Sequence, residues 1–214
     1  MYHVAKRYGD IAALQDITLK VSKGEFCYVT GPSGAGKTTM LKMLYGAERP
    51  TEGKLLVGGV DVSKLSPRRL PYLRRNIGIV FQDFKLIDRR TLGENVGLAL
   101  EVLGTSQEVI DRRVNAVLSI VGLRGRGGEF PPTLSGGEQQ RVAVARSIVN
   151  DPAILLADEP TGNLDGAMAV EVMEILQAIN LRGTTVLVAT HDTGLMNRFP
   201  FRRLRFEAGR LVEG

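Results

Sequence analysis

The sequence predicts an α/β fold built around a mainly parallel sheet. Short β-rich runs recur along the 214 residues, at positions 26–30, 77–81, 154–157 and 185–190. Helix-like stretches separate several of these runs, and glycine and proline mark the turns. Strands that alternate with helices are typical of parallel sheets, because each helix carries the chain back to the end of the sheet where the next strand begins.

Two parts of the chain depart from this alternation. Before Gly31 there is no room for a crossover helix and residues 22–25 form a turn pattern, so we expect an antiparallel β subdomain at the amino terminus. Residues 82–150 are predominantly helical, and the segment 106–121 places apolar side chains at helical spacing: Val109, Ile110, Val114, Val117, Leu118 and Val121. We therefore predict one domain over residues 1–214 with a helical insert at approximately 83–150.

The composition is that of a globular protein, with 43% hydrophobic and 24% charged residues. The amino terminus lacks the apolar core of a signal peptide, and no apolar run is long enough to span a bilayer, so any membrane role is expected to be peripheral. The single Cys27 cannot form an internal disulfide and lies in an apolar run, which favours a buried core position and a cytosolic setting.

The net charge of +5 favours anionic partners, namely nucleotide phosphates, anionic lipid or nucleic acid. Part of the positive excess is local, since one short stretch contains many of the cations: Arg68, Arg69, Arg74, Arg75, Lys85, Arg89 and Arg90. Apolar residues interrupt this stretch, so we interpret it as a solvated or interface surface rather than as a nucleic-acid groove.

Residues 31–38 match the phosphate-binding pattern G-x-x-x-x-G-K-S/T in full and directly follow the predicted strand 26–30. A chance match is expected about once in a hundred chains of this composition, so a plain glycine-rich turn is a weak explanation. Backbone N–H groups surround the phosphates in such a loop, while Lys37 reaches the terminal phosphates and Thr38 supplies an Mg²⁺ ligand. The predicted phosphate-binding residues are Gly31, Pro32, Ser33, Gly34, Ala35, Gly36, Lys37 and Thr38.

The predicted strand at residues 154–157 is followed by two carboxylates, Asp158 and Glu159. Adjacent side chains of a strand point to opposite faces, so we expect the two to have different roles. Asp158 can hold Mg²⁺, while Glu159 can orient or deprotonate the attacking water. A solvated strand end would also explain the pair taken alone, but the phosphate-binding loop upstream favours the catalytic interpretation.

The segment Ser135, Gly136, Gly137 and Glu138 opens a predicted helix that continues to about residue 149. Ser135 and Glu138 fit an S-x-x-E capping box, which would start any helix well. A capping box does not explain the two glycines, each of which costs up to about 1 kcal/mol relative to alanine in a helix. A bare backbone can approach an anion closely, so we predict a second phosphate cradle here.

Polar residues also follow two other predicted strands, Gln82 after residues 77–81 and His191 after residues 185–190. A lone His or Gln is usually structural, but open α/β sheets bind ligands at the carboxyl ends of their strands. We therefore predict His191 as a sensor of the terminal phosphate and Gln82 as a metal or water ligand. Tyr8 lies upstream of the loop and could stack on adenine, although a single tyrosine more often packs in a core.

Taken together, these motifs resemble the ABC ATPase family, a branch of the P-loop NTPases, across almost the whole chain. The signature at residues 134–141 is the specific element, because many other phosphate-loop proteins lack it. The resemblance implies binding and hydrolysis of ATP with Mg²⁺, and a head-to-tail homodimer in the ATP-bound state. In that dimer, Ser135 to Glu138 of one protomer would close on the nucleotide held by Gly31 to Thr39 of the other, and residues 163–165 would link the two sites.

Within the family, residues 73–78, 81–91 and 156–165 resemble the cell-division branch. That branch implies a polytopic permease as partner and a peripheral position on the cytoplasmic face of the cell membrane. Residues 156–165 are shared with lipoprotein-releasing and macrolide-export ATPases, which remain the alternative. A soluble ABC protein that acts on nucleic acid is a further alternative, but such proteins usually carry two cassettes or a long coiled coil, so no nucleic acid is expected here.

Residues 84–91 follow Gln82 and are predicted to dock the membrane partner. Phe84, Leu86 and Ile87 form an apolar cluster, and Lys85, Arg89 and Arg90 flank it. Such a surface suits a cytoplasmic helix of a permease beside anionic headgroups. The alternative is that these apolar residues pack inside the helical insert.

Overall fold

The computed structural model describes all residues from Met1 to Gly214. Its strands, numbered β1 to β11 along the chain, are Tyr2–Tyr8, Ile11–Ile17, Phe26–Thr30, Glu52–Lys54, Leu56–Val57, Val60–Asp61, Ile77–Val80, Ile154–Asp158, Thr185–Ala189, Arg202–Glu207 and Arg210–Glu213. Its α-helices, numbered α1 to α7, are Lys37–Leu44, Leu70–Arg74, Leu92–Val102, Gln107–Ile120, Gly136–Ile148, Gly166–Leu181 and Thr193–Arg198. None of these helices is both long and apolar enough to cross a membrane.

The central sheet has six strands in the order β11-β10-β3-β9-β8-β7. All neighbouring pairs are parallel except β10 and β11, which form an antiparallel hairpin at one edge. Every residue of β3 and β9 is buried, as expected for central strands covered on both faces. The prediction of an α/β fold with a mainly parallel sheet is therefore confirmed.

The predicted antiparallel subdomain is present as a three-stranded sheet in the order β2-β1-β4. The strand after the turn at residues 22–25 does not belong to it. That strand, β3, pairs in parallel with β9 and β10 instead, so the turn carries the chain from one sheet to the other. The expectation that all strands before Gly31 are antiparallel was wrong for β3, because a short connection limits pairing with β2 but not entry into a second sheet.

Three helices, α3, α4 and α5, form the helical part of the chain between β7 and β8. Their packing brings together Val96, Leu100, Ile110, Val114 and Leu118, all nearly or fully buried. The predicted helix at residues 106–121 is one residue shorter at each end in the structure. Helix α3 begins with a capping box, in which the Thr91 hydroxyl accepts from the Glu94 N–H and the Glu94 carboxylate accepts from the Thr91 N–H.

Candidate nucleotide-binding site

A cavity of about 530 Å³ lies at the carboxyl ends of the central strands. It brings together most of the residues that the sequence predicts for the site: Gly31, Pro32, Ser33, Gly34, Ala35, Gly36, Lys37, Thr38, Thr39, Gln82, Asp158, Glu159 and His191. Apart from Ala13 on β2, the lining residues lie at or after the ends of β3, β7, β8 and β9, four strands whose carboxyl ends meet at one edge of the sheet. Placement at this edge is typical of ligand sites in open α/β sheets.

The loop between β3 and α1 needs glycine at two positions that approach other backbone or side-chain atoms closely. Gly31 has a φ of 135°, and a Cβ there would lie 2.1 Å from the carbonyl oxygen of Phe206. Gly36 has a φ of 104°, and a Cβ there would lie 2.6 Å from Cδ2 of Leu14. A side chain at either position would push the loop outward, so glycine lets the loop curl tightly ahead of α1.

Lys37, the first residue of α1, folds its side chain back over the loop. Its Nζ donates to the carbonyl oxygens of Gly31 at 2.8 Å and Pro32 at 3.1 Å. No carboxylate forms an ion pair with this ammonium group. The charge of Lys37 is therefore held over the loop by neutral acceptors and remains available to an anionic ligand.

Thr38 and Asp158 bring two oxygen ligands together across the cavity. Thr38 Oγ1 donates to Asp158 Oδ1 at 3.3 Å. Burial raises the pKa of the Asp158 carboxyl above its usual range, against the opposing hydrogen bond from Thr38, and the nearby Glu159 raises it further. A carboxylate in this environment favours a nearby cation, and a hydroxyl plus a carboxylate is the donor set that suits Mg²⁺. No cluster of three or more His, Cys, Asp or Glu side chains forms a metal cage, so a cation here would need ligands from the nucleotide and water.

Asp158 is the last residue of β8, but Glu159 has left the strand and has a φ of 49°. Both side chains line the same cavity, so the predicted alternation to opposite faces of a strand is wrong for this pair. Their contacts nevertheless differ, since Asp158 bonds to Thr38 whereas Glu159 Oε1 lies 3.0 Å from His191 Nδ1. The Glu159 N–H donates to the carbonyl of Ala189 at 2.9 Å, which holds the residue in its left-handed conformation.

Gln82 lies at the rim of the cavity, and its main-chain carbonyl accepts from Asn163 Nδ2 at 3.2 Å. Tyr8 does not line the cavity. Its ring is partly exposed, with the Lys6 Nζ 4.7 Å from the ring centroid, so adenine stacking by Tyr8 stays a prediction. The structure adds Ala13, which lines the cavity from β2. Nothing in the sequence marks this alanine, because its place depends on how β2 lies beside the loop.

The segment from Ser135 to Glu138 lies outside this cavity, at the start of α5. The predicted capping box is present: Glu138 Oε2 accepts from the Ser135 N–H at 2.8 Å and from the Ser135 hydroxyl at 2.9 Å, while the Glu138 N–H donates to Ser135 Oγ at 3.3 Å. Gly137 is buried, and a Cβ there would lie 2.3 Å from Sδ of Met168. Close packing of α5 on α6 therefore explains why residue 137 is glycine. The predicted approach of an anion to the backbone remains an explanation for Gly136 only.

Comparisons with known proteins agree with this arrangement. Residues 14–162 match the family described as ABC transporter. The chain is 49% identical over 213 residues to the cell division ATP-binding protein FtsE of Bacillus subtilis, covering 99% of this chain and 93% of that protein. It is 48% identical over 213 residues to the FtsE of Escherichia coli, covering 99% and 96% respectively.

A solved structure extends the comparison to the fold. A dimeric ATP-binding cassette in a post-hydrolysis state, bound to ADP and Pi, matches with a TM-score of 0.88 and 36% identity, covering 99% of this chain and 95% of that chain. The family match covers most of the chain, and the cavity contains the loop, the carboxylates and the histidine predicted for nucleotide chemistry. The chain therefore belongs to the ABC transporter family, as one of its ATP-hydrolysing cassettes.

Proposed function

We propose that this chain performs the role of its FtsE relatives, as the ATPase subunit of a cell-division complex in which ATP clamps two copies together and drives a membrane partner. One observation supports the clamp above all. The chain carries one candidate nucleotide cavity, and the segment Ser135 to Glu138, predicted as a second phosphate cradle, opens α5 outside that cavity. A cradle that does not serve its own cavity suits the nucleotide of a second copy, and the similar cassette structure is described as dimeric.

Binding of ATP in this proposal rests on the loop residues Gly31 to Thr39. Their backbone N–H groups and Lys37 contact the phosphates, because the loop curls ahead of α1 and Lys37 has no competing carboxylate. Thr38, Asp158 and Gln82 are the residues that would hold Mg²⁺, which when bound neutralises charge on the terminal phosphates. Tyr8 is the residue that we propose to contact adenine.

Hydrolysis in this proposal depends on Glu159, with His191 beside it. Glu159 accepts a proton from water or orients that water, and its side chain is only 17% exposed, so few water molecules compete for it. His191 is 76% exposed and can contact the terminal phosphate while it remains within hydrogen-bonding distance of Glu159. Gln82 connects this chemistry to the neighbouring segment through its contact with Asn163.

We place the membrane partner in a groove of about 620 Å³ between the central sheet and the helical insert. Apolar residues of β7 and α3 line it, and four cations line it as well: Arg74, Arg75, Lys85 and Arg146. A cytoplasmic helix of an FtsX-like permease fits a groove of this shape beside anionic headgroups. Of the segment 84–91 predicted to dock the partner, only Lys85 lines the groove, and Leu86 packs against the core.

Arg146 connects this groove to the predicted second cradle, because it lines the groove and lies on the helix that begins at that cradle. Arg146 lies on α5, the helix that begins at the cradle, and its Nη2 donates to the carbonyl of Phe84 at 2.7 Å while Nη1 donates to that of Lys85 at 2.5 Å. Phe84 and Lys85 both have positive φ, with values of 56° and 51°, so these bonds hold a strained turn two residues after Gln82. We infer that residues 1–214 form one domain, with the helical insert at about 83–150.

The proposed role is tested by co-purification from detergent-solubilised membranes. A tagged chain that carries Glu159→Gln, with ATP and Mg²⁺ present, is expected to retain one polytopic protein of the FtsX type and to lie at the cytoplasmic face of the membrane. Loss of the chain should impair peptidoglycan hydrolysis at the septum. Recovery of a lipoprotein-releasing or macrolide-export permease in its place would assign the chain to an export system, and recovery of nucleic acid alone would contradict the proposal.

A further inference from the structure

The predicted second phosphate cradle at Ser135 to Glu138 contains a carboxylate, which is an unexpected group to place beside phosphates. Glu138 lies in the first turn of α5, and Oε2 of its carboxylate accepts from both the N–H and the hydroxyl of Ser135. The pKa of Glu138 is lowered to about 2, first by the hydrogen bond from Arg126 and then by those from Ser135. Glu138 is therefore fully ionised at neutral pH, and its charge would repel the terminal phosphates of ATP.

Arg126 is the cation that contacts this carboxylate. Its Nη1 donates to Glu138 Oε1, the oxygen that Ser135 leaves free. Its Nε and Nη2 donate to the two oxygens of Glu129, each at 2.7 Å, so the guanidinium plane is fixed by a two-point contact. Arg126 thus holds the second oxygen of Glu138 while Ser135 holds the first.

The loop that carries Arg126 is itself fixed to the helical insert. The N–H of Leu92 donates to the carbonyl of Glu129 and the N–H of Gly93 to that of Gly127, both at 2.8 Å. These bonds join the loop to the first turn of α3. Arg126 is therefore not a mobile surface arginine, and its side chain is 33% exposed.

We propose that Arg126 is a positioning residue of the second phosphate cradle, which neutralises Glu138 and keeps its carboxylate turned away from the nucleotide of the partner copy. The inference rests on the proposed head-to-tail dimer. With Arg126 in place, Ser135 and the first N–H groups of α5 face an incoming phosphate without an opposing free charge. Without it, Glu138 stays ionised next to that phosphate and the closed dimer is destabilised.

A purely structural role for Arg126 makes a different prediction, so the two can be separated. If Arg126 only stabilised its own loop through Glu129, its loss would be equally harmful whether residue 138 is charged or neutral. If Arg126 compensates the charge of Glu138, its loss should cease to matter once Glu138 is replaced by glutamine. Glutamine preserves the shape of the side chain and can still accept from Ser135.

The experiment measures ATP-dependent dimerisation of the full chain in a Glu159→Gln background, by analytical ultracentrifugation across a series of ATP concentrations with Mg²⁺. Adding Arg126→Ala should raise the ATP concentration at half-maximal dimerisation by about tenfold, because a charge-assisted contact is lost. Binding of ATP to the monomer should be unchanged. Adding both Arg126→Ala and Glu138→Gln should give a value within about twofold of Glu138→Gln alone.

Two control variants test whether the effect is specific to Arg126. Arg124→Ala removes an exposed arginine of the same loop that makes no hydrogen bond or ion pair, and it should leave dimerisation unchanged. Glu129→Gln weakens the anchor of Arg126 without removing the cation, so its effect should be smaller than that of Arg126→Ala.

A double variant as defective as Arg126→Ala, or no defect in Arg126→Ala, would overturn the inference while leaving the dimer proposal intact. A parent chain that forms no dimer with ATP would overturn both.

Discussion

Nδ1 of His191 lies 3.0 Å from Oε1 of Glu159. The contact follows from the register of two adjacent parallel strands, since Asp158 at the end of β8 pairs with Ala189 at the end of β9. Glu159 then follows β8 directly, and His191 lies two residues after the end of β9. His191 thus holds the Glu159 carboxylate through Oε1, while Oε2 remains free to face a nucleotide in the cavity.

We expect Glu159→Gln to retain ATP binding and to stop turnover. The amide keeps the shape of the side chain but no longer accepts a proton from water, which should lower the ATPase rate by about a hundredfold or more. The variant should accumulate as an ATP-stabilised dimer in size-exclusion chromatography. Hydrolysis at the parent rate would show that the catalytic carboxylate has been wrongly assigned.

Lys37→Ala should abolish ATP binding, since Lys37 supplies the charge in a cradle otherwise built from neutral N–H groups. Isothermal titration with ATP and Mg²⁺ measures the loss directly. Lys42→Ala is the matched control, because Lys42 lies on the same helix, is exposed and does not line the cavity. Equal ATP affinities of the two variants would show that Lys37 does not contribute to ATP binding.

Much of this site could be predicted because its residues follow strands whose pattern is local. Strands β8 and β9 end within one residue of their predicted ends, so Asp158 and His191 lie at the strand ends where the sequence predicts them. The sheet to which β3 belongs, and the left-handed backbone of Glu159, depend on contacts with β9, about 160 and 30 residues away along the chain. The contact of Gly137 with Met168 likewise joins two helices. A single sequence carries no local signal for such long-range packing.

Asp158→Asn should stabilise the nucleotide-free protein while it prevents Mg²⁺-dependent turnover. Burial raises the pKa of Asp158 in the folded state, so its ionised form is disfavoured there, and stability from this group increases as the pH falls through that pKa. The neutral amide removes this cost at neutral pH. A gain of about 1 kcal/mol would raise the Tm by about 2–4 °C in a chain of this size.

Calorimetry without nucleotide measures this effect, and Asp10→Asn, at an exposed carboxylate, should leave the Tm unchanged. The pH series gives a second check, because the difference between Asp158→Asn and the parent should shrink as the pH is lowered towards the pKa of Asp158. A variant less stable than the parent at neutral pH would show that the carboxylate is favourably placed without a cation.

Ser135→Arg should leave nucleotide binding to the monomer intact and block closure of the dimer, because a long side chain would fill the second cradle. Mixing this variant with Lys37→Ala chains tests the geometry. In a mixed dimer, one composite site contains both changes and the other contains neither, so closure at a single site should return in part. Loss of ATP binding in isolated Ser135→Arg monomers would instead place Ser135 in the site of its own chain.

The groove between the sheet and the helical insert should bind the membrane partner, and Val102→Glu tests it. Val102 is the last residue of α3, lines the groove and is 79% exposed. Leu181→Glu is the matched control, since Leu181 is the last residue of α6, is 80% exposed and lies outside the groove. Both changes place a carboxylate at a helix carboxyl end, so any cost to folding should be similar.

Val102→Glu alone should reduce membrane recruitment, because it puts a negative charge where an apolar helix docks beside anionic headgroups. The basal ATPase rate of the free protein should stay the same. Equal recruitment of the two variants would move the partner to another surface.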